Sequence, residues 1–292
     1  MAYPASSPGE KPYLDTLNRL AQDNFFSVLE VVWVKDSAIR KTIKKMMESA
    51  RVAVTYAAQA ALLNQKLDLC SPIDHERQKA VSQVRTCIDE ACELGAERMS
   101  LLSGFDHGES KRRESMRFLV QSLKEICAYG EQQHMPITLE AFDREVEKKC
   151  LIGPAEDAAA LARAVRREYR NFGIMYDMAH GPLLDENPKR ALSLLRPFLV
   201  HVHLGNCVKR DKTHPAYGDK HPRFGVQGGE HDVEQLTRFI KILFDVGYIS
   251  RRPKEDKHLP IVGFEIKPMQ DEDPDLVIAG MKRVWREAWK RL

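Results

Sequence analysis

Four short apolar runs in this 292-residue chain each end on a group that can bind a cation: Ile137-Thr-Leu-Glu140, Ile174-Met-Tyr-Asp177, His201-Val-His203 and Val262-Gly-Phe-Glu265. A single ionisable residue at such an end is ordinary, because the chain emerges into water there. Four in succession, converging on one axis if the sheet closes, would set three carboxylates against one another. A divalent cation relieves that repulsion, and a mostly oxygen donor set with one imidazole suits Mn2+, Mg2+ or Co2+ better than a structural zinc. One chemistry such a site can support is proton abstraction beside a carbonyl. A cation on the carbonyl oxygen and its neighbouring hydroxyl stabilises the developing enediolate. One carboxylate removes the proton, and a second across the plane returns it or protonates a leaving group. Strand alternation puts His201 on the face of His203, Met175 with Asp177 and Gly263 with Glu265, so His201 is read as lying one layer deeper, behind the ligands.

These ends need a scaffold that gathers them. Apolar, strand-like runs at residues 25–34, 52–58, 96–102, 137–142, 172–178, 199–204 and 260–266 alternate with helix-like stretches at 13–22, 37–49, 75–94, 111–133, 154–170, 188–197 and 233–246. That alternation predicts a parallel sheet covered by helices. Seven strands are plain, and residues 1–4 stand where a short or truncated first strand would make eight. The reading is an α/β chain forming a single (β/α)8 barrel over residues 1–292, with its active site at the C-terminal mouth of the strands. No glycine-rich dinucleotide fingerprint or phosphate loop follows a strand. The longest irregular stretch, 206–232, is expected to be a lid or binding loop. Its segment Tyr217-Gly-Asp219-Lys-His221-Pro-Arg223 is expected to bring His221 or Arg223 over the mouth to touch substrate.

Composition narrows the field. Hydrophobic residues make up 43% and charged residues 30%, and 45 basic against 42 acidic residues leave a net charge of +3, which gives no reason to invoke nucleic acid. No stretch approaches the length of a membrane span and the N-terminus lacks a signal layout, so the expectation is a cytoplasmic protein without membrane association. The cysteines (Cys70, Cys87, Cys92, Cys127, Cys150, Cys207) are scattered without a CxxC pair. They read as buried, idle thiols rather than disulfides or a zinc site.

Taken together, Leu139-Glu140, Asp177-x-x-His180, His201-x-His203-Leu-Gly-Asn206 and Phe264-Glu265-x-x-Pro268 resemble the xylose-isomerase-like TIM barrel superfamily. Within it, the sugar phosphate isomerase/epimerase group, and ketose 3-epimerases in particular, are most similar. The likeness runs the whole chain in strand order. It implies one divalent metal, commonly manganese, on Glu140, Asp177, His203 and Glu265, with Glu140 and Glu265 doubling as the acid/base pair and His180 on substrate oxygens. The basic residue six after the metal histidine, an arginine in ketose 3-epimerases, falls on Lys209, which supplies one point charge where arginine supplies a planar fork. A further glutamate of those epimerases falls at Val146, between Glu145 and Glu147.

The implied function is a metal-dependent isomerase or epimerase acting on a small sugar or sugar derivative through an enediolate. The alternative is a metal-dependent lyase on 3-oxo-glycosides, similar to the catalytic subunits of C-glycoside-cleaving enzymes, which work with a small partner chain. Asp219-x-His221 also resembles the motif with which endonuclease IV binds additional zinc. That phosphodiesterase needs histidines at the ends of earlier strands, where this chain reads Thr55-Tyr-Ala-Ala-Gln59 and Leu101-Leu-Ser-Gly104.

Several residues have ordinary readings. Glu30 points into the barrel or pairs with a buried base. Asp106 and His107 line the pocket or sit in a solvated loop. Lys111-Arg112-Arg113 is a solvated helix face, and His75, His134 and His258 carry no role. Trp285 and Trp289 share a helix face that packs on the barrel or on a second copy in a homo-oligomer.

Overall fold

A computed structural model describes residues 1–4, 11–250 and 260–292, so His258 lies outside the described residues. Seven strands lie in chain order in one sheet: β1 (Val28–Val32), β2 (Ala53–Ala57), β3 (Met99–Leu101), β4 (Ile137–Glu140), β5 (Phe172–Asp177), β6 (Leu199–Leu204) and β7 (Ile261–Phe264). Every neighbouring pair is parallel. The helices are α1 (Lys11–Ala21), α2 (Ser37–Ala50), α3 (Gln59–Asn64), α4 (Asp74–Leu94), α5 (Glu109–Gln132), α6 (Ala155–Val165), α7 (His180–Leu183), α8 (Pro188–Leu195), α9 (Val233–Asp245) and α10 (Pro274–Lys290). No helix among the described residues is long and apolar enough to cross a membrane.

The central strands β4 and β5 read as near-continuous apolar runs because both of their faces are covered. Each residue of β4 and β5 is buried. Helix starts follow local chemistry: Asp36 accepts from the Ala38 and Ile39 N–H groups ahead of α2, and Asp273 does the same for α10 beside a proline in its first turn. Trp285 and Trp289 stack on each other with ring centroids 5.3 Å apart, and they meet Phe264 and Phe244 at 5.6 and 5.9 Å. Trp285 packs toward the barrel on Phe264, while Trp289 remains 47% exposed. All six cysteines are free thiols.

The sheet curls until its first strand faces its last ones. Glu30 on β1 reaches within 3.5 Å of His203 on β6, and the Phe25 ring lies 6.1 Å from Phe264. The short first strand expected at residues 1–4 does not form, so the barrel is nearly closed by seven paired strands among the described residues. Pro4 offers no N–H to a ladder. Instead the Tyr3 hydroxyl donates to Asp275, in the first turn of α10, at 2.6 Å.

One irregularity sets the site. Ile174 pairs with Leu199, but the next residue, Met175, pairs with His201, so Val200 is an extra residue on β6. In unbroken register Asp177 would face Val202. The bulge brings Asp177 opposite His203, on the same face of the sheet. Gly173 makes this bulge fit, because a Cβ there would come within 2.4 Å of a Val200 methyl. The displaced Val200 carbonyl accepts from the buried Arg98 guanidinium at 2.5 Å.

Candidate metal centre

Glu140 ends β4, Asp177 ends β5, His203 is the penultimate residue of β6, and Glu265 follows β7. Each of the four contributes a donor atom to one cluster whose members lie within 4.8 Å of one another. His203 Nδ1 is 2.9 Å from Glu265 Oε2, 3.5 Å from Asp177 Oδ2 and 3.6 Å from Glu140 Oε1. His203 Nε2 turns the other way, to Glu30 at 3.5 Å, and Glu30 in turn accepts from Thr55 at 3.3 Å. A carboxylate behind a ligating imidazole is the usual means of fixing its ring and tautomer.

Whether these residues fit a cation is answered by their unused atoms. Glu140 Oε1, Asp177 Oδ2 and His203 Nδ1 are buried and have no hydrogen-bond partner, and they are the very atoms that face the cluster. Their sister oxygens are satisfied: Gln59 donates to Glu140 Oε2 at 2.7 Å, and the Ala179 N–H donates to Asp177 Oδ1 at 2.5 Å. Buried polar atoms are otherwise almost always paired. Three orphans aimed at one point, with Glu265 beside them, fit a divalent ion.

A second layer abuts this cluster. Asp219, 3% exposed, lies between two histidines, with Oδ1 3.0 Å from His180 Nε2 and 2.7 Å from His221 Nε2, while Lys148 reaches its Oδ2 at 3.0 Å. His180 Nδ1 donates to the Ala141 carbonyl at 2.7 Å, so both its ring nitrogens are engaged. The free nitrogen belongs to His221, whose buried Nδ1 is unpartnered and 4.0 Å from Asp177 Oδ2. His221 adopts φ 50°, a left-handed conformation unusual for a residue with a side chain. Gly205 leaves it room: a Cβ there would sit 2.8 Å from His221 Nδ1.

The charges are strongly interdependent. Burial opposes ionisation of Asp219, but His180 and His221 outweigh it and hold the carboxyl well below the usual range. Burial also opposes protonation of His221, yet Glu265 and Asp219 raise it to about 9. His180 is raised well above its ordinary value against burial, by Asp219 and then Asp177. Burial raises Glu140, whereas Glu265 is held low, against burial, by His221 and His203. Glu30, which keeps part of its side chain accessible, is raised above its ordinary value by partial loss of solvation.

A histidine raised on folding stabilises the fold below its unfolded value, about 6.5, and loses that contribution as pH climbs through the folded value. The melting temperature of the chelated protein is therefore expected to fall between pH 6.5 and about 9. Asp219→Asn should flatten that decline. Thermal melts across this range check it, and an equally steep slope in the variant would remove Asp219 as the cause.

Of the residues expected to meet substrate, His180 and His221 adjoin the cluster. Lys209 and Arg223 are not brought to it: the Lys209 ammonium pairs with Asp185, and the Arg223 guanidinium with Glu272 at 2.7 Å. Val146 packs in a small apolar group with Ala179, Leu183 and Cys207, and its neighbour Glu147 accepts from the Asp219 N–H at 2.9 Å. His107 is taken by Asp68 at 2.7 Å, and Asp106 by Arg112. Gln59 and Lys148 were not marked by the sequence as site residues. The partners that tie them to the site, Glu140 and Asp219, lie far along the chain, so no local spacing announces them.

The family model described as xylose isomerase-like TIM barrel matches residues 20–253. The chain belongs to that family. A search of curated protein sequences finds no match. Among solved structures, this xylose isomerase-like barrel is similar to D-psicose 3-epimerase from Clostridium cellulolyticum H10, at 16% identity over 96% of this chain and 91% of that one, TM-score 0.64. It is similar to 3-keto-D-glucoside 4-epimerase from E. coli, at 14% identity over 95% of each chain, TM-score 0.66. A third likeness is to the IOLI protein with a bound zinc atom, at 13% identity over 99% of this chain and 96% of that one, TM-score 0.72. At such identities these likenesses speak to the shared fold.

Proposed function

We propose that this protein is a divalent-metal-dependent sugar isomerase or epimerase that moves a proton on the carbon beside a carbonyl. The observation that carries this reading is the set of orphaned donor atoms on Glu140, Asp177 and His203, closed by Glu265. A bound divalent ion, Mn2+ first by donor chemistry, would supply Lewis acidity toward substrate oxygens and counter-charge for the carboxylates. Glu140 and Glu265 stand at the fifth and eighth barrel positions, counting the unformed first, so they flank a ligand lying across the mouth. Glu140 and Glu265 form the acid/base pair, one taking the proton and the other returning it. The free His221 Nδ1 meets a substrate oxygen, and Asp219 holds that ring in place. Ketose 3-epimerization, as in the named function of the D-psicose enzyme, is the type reaction.

A second reading, a lyase on 3-oxo-glycosides, is favoured by one observation. His221 adds a third proton-transfer group beyond the two glutamates, and expelling a β-substituent needs an acid for the leaving group. Solvent deuterium exchange into a panel of ketoses and 3-oxo-glycosides, with Mn2+ and after chelation, tests both. Metal-dependent exchange with epimer formation supports the first reading, and exchange with release of an aglycone supports the second. Absence of exchange with every ketone at full Mn2+ occupancy would sink both.

A further inference from the structure

Glu140 and Glu265 are chemically the same ligand, yet the protein holds them differently. Gln59 opens α3 directly after β2 and is 9% exposed, and its Nε2 donates to Glu140 Oε2 at 2.7 Å. Its Oε1 accepts from the Ser100 hydroxyl, on β3, at 3.1 Å. An ionised carboxylate can only accept, so the amide nitrogen must face Glu140, and the Ser100 hydroxyl then donates to the amide oxygen. Flipping the amide would set two oxygens against each other at Glu140. Ser100–Gln59–Glu140 is thus a directed relay across β3, α3 and β4, with its members 2%, 9% and 2% exposed. The relay occupies Oε2 and leaves Oε1, the orphan, pointing at His203 Nδ1. No amide clamps Glu265 among the described residues; its carboxylate faces His203 and His221 at 2.9 and 3.9 Å.

We propose that Gln59, oriented by Ser100, is a positioning residue that makes Glu140 a one-oxygen ligand of the metal. The inference rests on the metal-dependent reading above and concerns which oxygen of Glu140 does the binding. Without the amide, the carboxylate is free to turn, and the donor atom is no longer pre-aimed. Outer partners of metal ligands typically contribute about 10- to 100-fold to affinity.

The test is Mn2+ titration of the whole chain, read by the loss of the free Mn2+ electron paramagnetic resonance signal. Gln59→Met keeps length and apolar packing while removing the donor, and should weaken Mn2+ binding by about 10- to 100-fold. Ser100→Ala alone should weaken it less, and should add nothing in the Gln59→Met background, because the relay acts as one unit. A folded Gln59→Met variant that binds Mn2+ as tightly as the wild type overturns the proposal. An equal Ser100→Ala effect in both backgrounds overturns the relay. Should Gln59→Met fail to fold, unchanged affinity in Ser100→Ala still counts against it. A wild-type chain that takes up no Mn2+ defeats the metal reading itself, which is a separate result.

Discussion

With Gln in place of Glu265, hydrogen exchange beside the substrate carbonyl is expected to fall by about 100- to 10,000-fold, the range a positioned acid or base contributes. An amide of the same shape keeps an oxygen near His203 but cannot carry a proton. Two imidazoles, His203 and His221, would also lose the carboxylate they face. Glu140→Gln should be the harsher change. Gln59 requires an acceptor, so the new amide would turn its oxygen to Gln59 and its NH2 to the spot that Glu140 Oε1 holds. A donor would then point where a cation needs an acceptor. Exchange should vanish and Mn2+ affinity should drop more than in Glu265→Gln. Exchange followed by NMR in deuterated buffer, beside Mn2+ titration, separates the two effects. Retained exchange in either variant, at full Mn2+ occupancy, would take that glutamate out of the acid/base pair.

Gly173→Ala should disable the site from a position that touches none of its ligands. The added methyl would lie 2.4 and 2.8 Å from the two Val200 methyl groups. Overpacking of this kind costs about 1–3 kcal/mol. The larger consequence is in register. The clash is relieved if Val200 leaves its bulged position, and a one-residue slip sends His203 to the helix-covered face and Val202 inward. Urea unfolding should show the loss of stability, and Mn2+ titration should show loss of binding out of proportion to it. Val200→Ala removes both clashing methyls and should restore much of each in the double variant. A Gly173→Ala protein with wild-type stability and Mn2+ affinity would show that the bulge does not depend on this glycine.

The four cluster residues are legible in the sequence because each ends an apolar run, and a parallel barrel has one place for such ends to meet. The β6 bounds, 199–204, are legible for the same reason. The bulge at Val200 is not, since His201 and His203 share a face whatever their register with β5. Short helices such as α7, with four residues, are too brief to display a period. Residues 1–4 read as a strand by position in the repeat alone, and Pro4 defeats pairing there. Lys209 and Arg223 fall at the mouth in sequence, but long side chains reach whichever carboxylate is close, and Asp185 and Glu272 become visible as partners only in three dimensions. Gln59 is hidden by distance along the chain, 81 residues from the glutamate it holds.

The long segment 206–232 has a consequence for the timing of catalysis. Asn206 accepts from the Cys207 and His231 N–H groups and donates to the Arg223 carbonyl, tying the start of the segment to its end and middle. Glu147 holds its Asp219 and Lys220 from the neighbouring β4–α6 connection. A wall fastened at that many points has little freedom left to lose when a ligand arrives, so capture carries a small ordering cost. Under the proposed function it would also make a poor clock: turnover would be set by proton transfer or product departure rather than by the rhythm of a closing flap.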